Sequence, residues 1–146
     1  MVNRDRRAAE PSDAVTVPGS GTVEWEPMIT GARTAIQRDL PVIAGALTPS
    51  EITSATGQGA AAVKLFPASS GGPAYLRALR DPFPAVPFVP VGGIDEAAAA
   101  QYLAGGATAV GVGSPLVGDA ASGGSAAGLA RRARRFLAVT SRQVPA

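Results

Sequence analysis

The stretch Ala61-Ala62-Val63-Lys64-Leu65-Phe66-Pro67-Ala68 is an apolar run of strand length with a single cation inside it. Short apolar runs bounded by Gly and Pro read as buried strands rather than helices. Of the 13 lysines and arginines in the chain, Lys64 is the only lysine, so nothing shows a general need for ammonium groups. A lysine here has two physical readings. Burial disfavours its charged form and leaves a free amine able to attack a carbonyl carbon. Alternatively, its stem lies on apolar surface while the ammonium reaches water or a carboxylate. The run alone leaves both open.

Outward from this strand, the chain alternates between short apolar runs and helical patterns. On its N-terminal side, Pro41 to Gly45 reads as a strand. Thr48-Pro49-Ser50-Glu51 then opens a helix, with Thr48 as N-cap, Pro49 at the first helical position and Glu51 three residues on, a capping box. On its C-terminal side come a helix from Gly71-Gly72-Pro73 to Arg80, a strand from Pro87 to Val91, and a helix capped by Asp95. A strand from Thr108 to Val112 follows, then a last helix from about Ser125 to Val139. That helix is expected to turn Leu129, Ala133, Phe136 and Leu137 inward and Arg131, Arg132, Arg134 and Arg135 to water. Val15-Thr16-Val17 is a weaker strand, and Pro27 to Arg38 reads as a helix with Met28, Ala32, Ala35 and Ile36 on one side.

Strands of about five residues separated by helices of about 10–14 imply parallel βαβ units. The strands lack clean polar alternation, which predicts a sheet covered on both faces. The count stops at five, whereas a closed eight-strand (β/α) barrel takes roughly 200 residues or more. At 146 residues, this chain does not close one alone. The expected organisation is a loose charged tail over 1–14 and one α/β domain over 15–146.

Composition narrows the chemistry. With no cysteine and no histidine, disulfides, thiolate or imidazole metal sites, and Ser-His or Cys-His nucleophile pairs are excluded. What remains is one lysine, eleven carboxylates, two tyrosines and hydroxyls. No metal or cofactor is called for. A net charge of +2 is too small to argue for nucleic acid. No apolar run reaches the roughly 20 residues of a membrane span, and no signal peptide is evident. A cytoplasmic location is the default expectation.

Two glycine-rich turns end the last two strands: Val91-Gly92-Gly93-Ile94-Asp95 and Gly111-Val112-Gly113-Ser114. Backbone N–H groups in such turns can hold an oxyanion, and glycine lets it approach. In barrel enzymes the loops after the last two strands recurrently bind phosphate. Plain loop geometry explains each turn singly. The cluster Arg131-Arg132-Ala133-Arg134-Arg135 could contact nucleic-acid phosphates, but a solvated helix face is the simpler account. Glu51 and Asp95 are explained by capping. Glu24 and Glu26, beside Trp25, have no assigned role.

The run from Leu40 to Val117 resembles the 2-keto-3-deoxy-6-phosphogluconate (KDPG) and 4-hydroxy-2-oxoglutarate aldolases. The resemblance rests on Leu40-Pro41-Val42-Ile43-Ala44-Gly45-Ala46-Leu47-Thr48-Pro49-Ser50-Glu51, Val63-Lys64-Leu65-Phe66-Pro67-Ala68 and Gly71-Gly72-Pro73-Ala74-Tyr75-Leu76-Arg77-Ala78-Leu79. Val89-Pro90-Val91-Gly92-Gly93 and Val110-Gly111-Val112-Gly113-Ser114-Pro115-Leu116 continue it in order. It implies a TIM-barrel fold, present here as a partial barrel of about the last four or five βα units, with the N-terminal strands lacking.

The same resemblance implies that Lys64 forms a Schiff base with pyruvate and that Gly92, Gly93, Gly113 and Ser114 hold the substrate phosphate. The implied reaction is a class I aldol cleavage of KDPG to pyruvate and glyceraldehyde 3-phosphate, an Entner–Doudoroff step of carbohydrate metabolism, without metal or cofactor. A homotrimer is implied as well. The family's general-base glutamate and a substrate-binding arginine lie on strands without counterpart here, Val91 stands for a usual threonine, and Ala44 for a usual proline. An alternative expectation is therefore a non-catalytic fragment that binds phosphorylated sugar acids.

Overall fold

A computed structural model describes residues 15–17, 32 and 34–141. The expected tail over 1–14, Glu24, Trp25 and Glu26, and the first part of the helix expected from Pro27 lie outside the described residues. The described end of that helix is helical at 32 and over 34–37 and buries Ala35.

Four strands form one parallel sheet in sequence order: β1 (Val15–Val17), β2 (Val42–Ala46), β3 (Ala62–Leu65) and β4 (Phe88–Pro90). Helices connect them: α1 (Pro49–Gly57) and α2 (Gly72–Arg80), with α3 (Glu96–Ala104) following β4. A short helix α4 (Ser114–Val117) and a long one, α5 (Ala126–Ser141), complete the chain. The capping box forms as expected. The Glu51 N–H donates to Thr48 Oγ1 at 3.4 Å, and the Thr48 and Leu47 N–H groups donate to Glu51 Oε2 at 2.8 and 2.9 Å.

Alternation along the strands separates two faces. Val63 and Leu65 are 0 and 1% exposed, and Phe88 and Pro90 are buried beside them in register. They pack with Ile52 of α1, Leu76 and Leu79 of α2, and Ala99 and Tyr102 of α3 in the main core. Among the described residues, the opposite face is less covered. Ile43, Gly45, Lys64 and Val89 are only half-buried, and Gly45, Lys64 and Val89 form one row across three strands. Among the described residues the core-forming helices thus lie on one side of the sheet, where strand composition predicts cover on both. An α/β sheet with helices on one side only is the arrangement of a barrel wall, whose other face looks inward.

Two further expectations are corrected. Thr108 to Val112 is not a strand; it contributes one parallel bridge, Val91 to Gly111, with Thr108 N–H donating to Phe88 O at 2.9 Å and Gly111 N–H to Pro90 O at 2.8 Å. A Cβ on Gly111 would stand 2.6 Å from Val91 Cγ2, so glycine permits this close approach. In α5, Leu137 is 64% exposed while Phe136 is buried. Gly128 and Phe136 are the buried positions, with Leu129, Arg132, Ala133 and Val139 half-buried beside them, so Leu129, Ala133 and Phe136 lie inward as expected. Arg132 therefore faces inward, not to water. No helix among the described residues is long and apolar enough to cross a membrane.

Candidate active site

Because the strands are parallel, the loops that leave their C-terminal ends share one edge of the sheet. Lys64 lies near that edge, on the half-buried face of the sheet between Gly45 and Val89. Its side chain is half-buried rather than enclosed. Among the described residues no carboxylate is within ion-pairing distance of it. Its Nζ instead sits 5.0 Å from the centroid of the Phe66 ring, a cation–π distance.

Phe66 links Lys64 to the first glycine turn. A Cβ on Gly92 would stand 3.0 Å from Phe66 Cε2, and Gly92 has φ +103°. Gly93, at φ +70°, passes as closely over Ser69. Both turns of chain are tied by backbone bonds. Ala68 N–H donates to Val91 O at 2.9 Å, Ser69 N–H to Gly92 O at 3.3 Å, and Val91 N–H to Leu65 O at 3.0 Å. The segment that follows Lys64 and the Gly92-Gly93 turn are therefore one unit. The N–H groups of Gly93 and Gly113 donate to no acceptor among the described residues.

Gly113 and Ser114 join this unit less directly, through the Val91–Gly111 bridge. Both are exposed. Gly113 O accepts from the N–H groups of Leu116 and Val117 at 2.9 and 3.0 Å, which closes the turn that begins α4.

Three side chains that brace these loops are not among the expected site residues. Tyr102, buried, donates its hydroxyl to Ala68 O at 2.7 Å, and that burial pushes its phenol above the usual value. Tyr75 donates to Leu47 O at 2.8 Å at the end of β2. Arg132 donates to Leu116 O and Val117 O, both at 2.7 Å, at the end of α4. Tyrosines at helix positions read as core, and only a hydroxyl that finds a carbonyl distinguishes them.

The carboxylates on this edge are occupied. Hydrogen bonds from the Thr48 and Leu47 backbone hold the Glu51 carboxyl below its usual range. Asp95 caps α3 through Ala98 N–H at 2.8 Å, and Glu96 pairs with Arg135 at 2.7 Å. None is placed as a base for Lys64.

The family model for KDPG and KHG aldolase matches residues 26–125, more than half of the chain. The chain belongs to this aldolase family. It is 44% identical over 73 residues to the 2-dehydro-3-deoxy-phosphogluconate aldolase of Pseudomonas aeruginosa, a match that covers 49% of this chain and 33% of that one. With the 2-dehydro-3-deoxy-6-phosphogalactonate aldolase of Escherichia coli it shares 35% identity over 85 residues, 58% of this chain and 42% of the relative. The solved native KDPGal structure superposes with a TM-score of 0.75 at 28% identity, over 90% of this chain and 59% of that chain. The chain thus matches TIM-barrel aldolases over part of their length and spans well under two thirds of these relatives.

Proposed function

We propose that this chain carries the nucleophile and phosphate-binding half of a class I aldolase acting on KDPG or a close 2-keto acid phosphate. It corresponds to the last four or five βα units of the barrel. The observation that carries the reading is the Lys64–Phe66–Gly92 stack, which sets the only lysine beside a glycine turn whose Gly93 N–H has no acceptor among the described residues.

In this reading the Lys64 amine attacks the substrate's keto carbon, and loss of water gives an iminium. The C4 hydroxyl gives up its proton as the C3–C4 bond breaks. The bonding electrons flow into the iminium to form an enamine, and glyceraldehyde 3-phosphate leaves. Protonation of the enamine and hydrolysis with one water release pyruvate and restore the amine. Gly92, Gly93, Gly113 and Ser114 hold the phosphate through N–H groups and the Ser114 hydroxyl. No cofactor enters this scheme. General acid–base help is typically worth about 10²–10⁴-fold, and among the described residues no carboxylate stands ready to give it. Turnover by this chain is accordingly slow unless a further chain completes the barrel, and the family-like homotrimer and a cytoplasmic setting belong to the same proposal.

Release of pyruvate from KDPG, followed with lactate dehydrogenase and NADH, tests the reading. Release that disappears in Lys64→Ala supports it. The occupied carboxylates favour one second reading, a non-catalytic binder of phosphorylated sugar acids. Phosphate-dependent binding without pyruvate release, equal in wild type and Lys64→Ala, selects that one.

A further inference from the structure

Arg132 stands in what reads as a solvated arginine cluster, yet it is the one member with a built socket. Its side chain is 21% exposed. Nε and one terminal nitrogen donate to Leu116 O and Val117 O at 2.7 Å each, and that same terminal nitrogen reaches Asp119 Oδ1 at 3.1 Å. Gly118 makes the room, and Gly128 lies against the other side of the fork. A Cβ on Gly118, which has φ +53°, would stand 2.9 Å from the guanidinium carbon, and one on Gly128 would stand 3.5 Å from the other terminal nitrogen. The planar fork satisfies two carbonyls at once, which the point charge of a lysine does not do.

Those carbonyls end a single helical turn whose other end is the Gly113-Ser114 turn. Between them, Gly113 O accepts from Leu116 and Val117 N–H, and Ser114 O accepts from Gly118 N–H at 2.8 Å. α4 is only four residues long, so the carbonyls that Arg132 holds lie within one turn of residues 113 and 114. α5, with Phe136 in the core, is thereby linked to residues 113 and 114 through the Arg132 fork.

We propose that Arg132 is a positioning residue for phosphate recognition: through the Leu116 and Val117 carbonyls it holds Gly113 and Ser114 where they meet the substrate's phosphate, without touching the ligand or Lys64. This rests on the reading of the Gly113-Ser114 turn as a phosphate site. It predicts a separation of effects. Binding that depends on phosphate weakens when the fork is removed, whereas imine formation with pyruvate, which has no phosphate, does not change.

The test titrates 3-phosphoglycerate and glycerate into the full chain by calorimetry and, in the same samples, measures borohydride trapping of pyruvate on Lys64. The wild type is expected to prefer 3-phosphoglycerate. Arg132→Ala is expected to weaken it about tenfold, the scale of a lost charge-assisted hydrogen bond, with trapping unchanged. Arg132→Lys preserves the stem and charge and serves if the alanine variant does not fold; it is expected to lose several-fold of the same binding. Asp119→Ala, which leaves both carbonyl bonds in place, is expected to bind as wild type. Folded Arg132 variants that bind 3-phosphoglycerate like wild type overturn the positioning role. So does an equal loss of trapping and binding, which marks a merely structural residue. A wild type without preference for 3-phosphoglycerate over glycerate instead overturns the phosphate site itself, and the proposal with it.

Discussion

Lys64 Nζ lies 5.0 Å from the centroid of the Phe66 ring, two residues along the same chain. The Phe66 side chain also closes on Gly92, so the amine, the ring and the glycine turn form one stack. The stack ties the candidate nucleophile of one strand to the candidate phosphate turn of the next, and several outcomes depend on it.

Lys64→Ala should leave the fold intact. The side chain is half-buried and its one aromatic contact is worth about 0.5–1 kcal/mol at an exposed site. Urea unfolding should show a change no larger than that, so any loss of chemistry reports the amine itself.

Gly92→Ala should be far more costly. At φ +103°, with Phe66 at 3.0 Å from the new methyl, the backbone strain alone is about 1–3 kcal/mol, and the ring must move. Denaturant midpoints should fall accordingly, and pyruvate trapping on Lys64 should slow with them.

The capping box gives a pH signature. Glu51 has its folded pKa lowered, first by the Thr48 backbone N–H and then by that of Leu47. Its contribution is therefore present above the ordinary glutamate pKa of about 4.3 and is lost as pH falls below that value through the lower folded one. Glu51→Ala should flatten this part of the stability-versus-pH curve, and Thr48→Ala should cost about 0.5–2 kcal/mol at neutral pH. Urea titrations from neutral to acid pH check both.

Tyr102→Phe should destabilise by about 0.5–1.5 kcal/mol. It removes the donor to Ala68 O, which retains only a longer bond from Gly71 N–H at 3.4 Å. Thermal unfolding measures the loss.

Local signals in the sequence are legible where one residue type has one physical use. The Thr48–Glu51 box, the Asp95 cap and the strand around Lys64 form where spacing placed them. The Gly92-Gly93 turn shows positive φ at both residues. What spacing could not show is which sheet face is covered, because that depends on elements packed from elsewhere; hence Lys64 is half-buried, not enclosed. Arg132 was hidden for a similar reason. An arginine in a cluster of four looks solvated until the Leu116 and Val117 carbonyls and Gly118, in a preceding loop, are seen to make its socket. Leu137 lies outward because it follows Phe136 by about 100° of helix rotation, enough to carry it out of the buried stripe. The bridge at Gly111 replaced a strand because glycine there serves contact with Val91.

The most direct test of Lys64 as Schiff-base nucleophile is borohydride reduction of the folded chain in the presence of pyruvate, followed by peptide mass mapping. The account predicts one reduced pyruvyl group on the peptide that contains Lys64, and none in Lys64→Ala. Because Lys64 is the only lysine, an unmodified Lys64 in folded protein would contradict it outright.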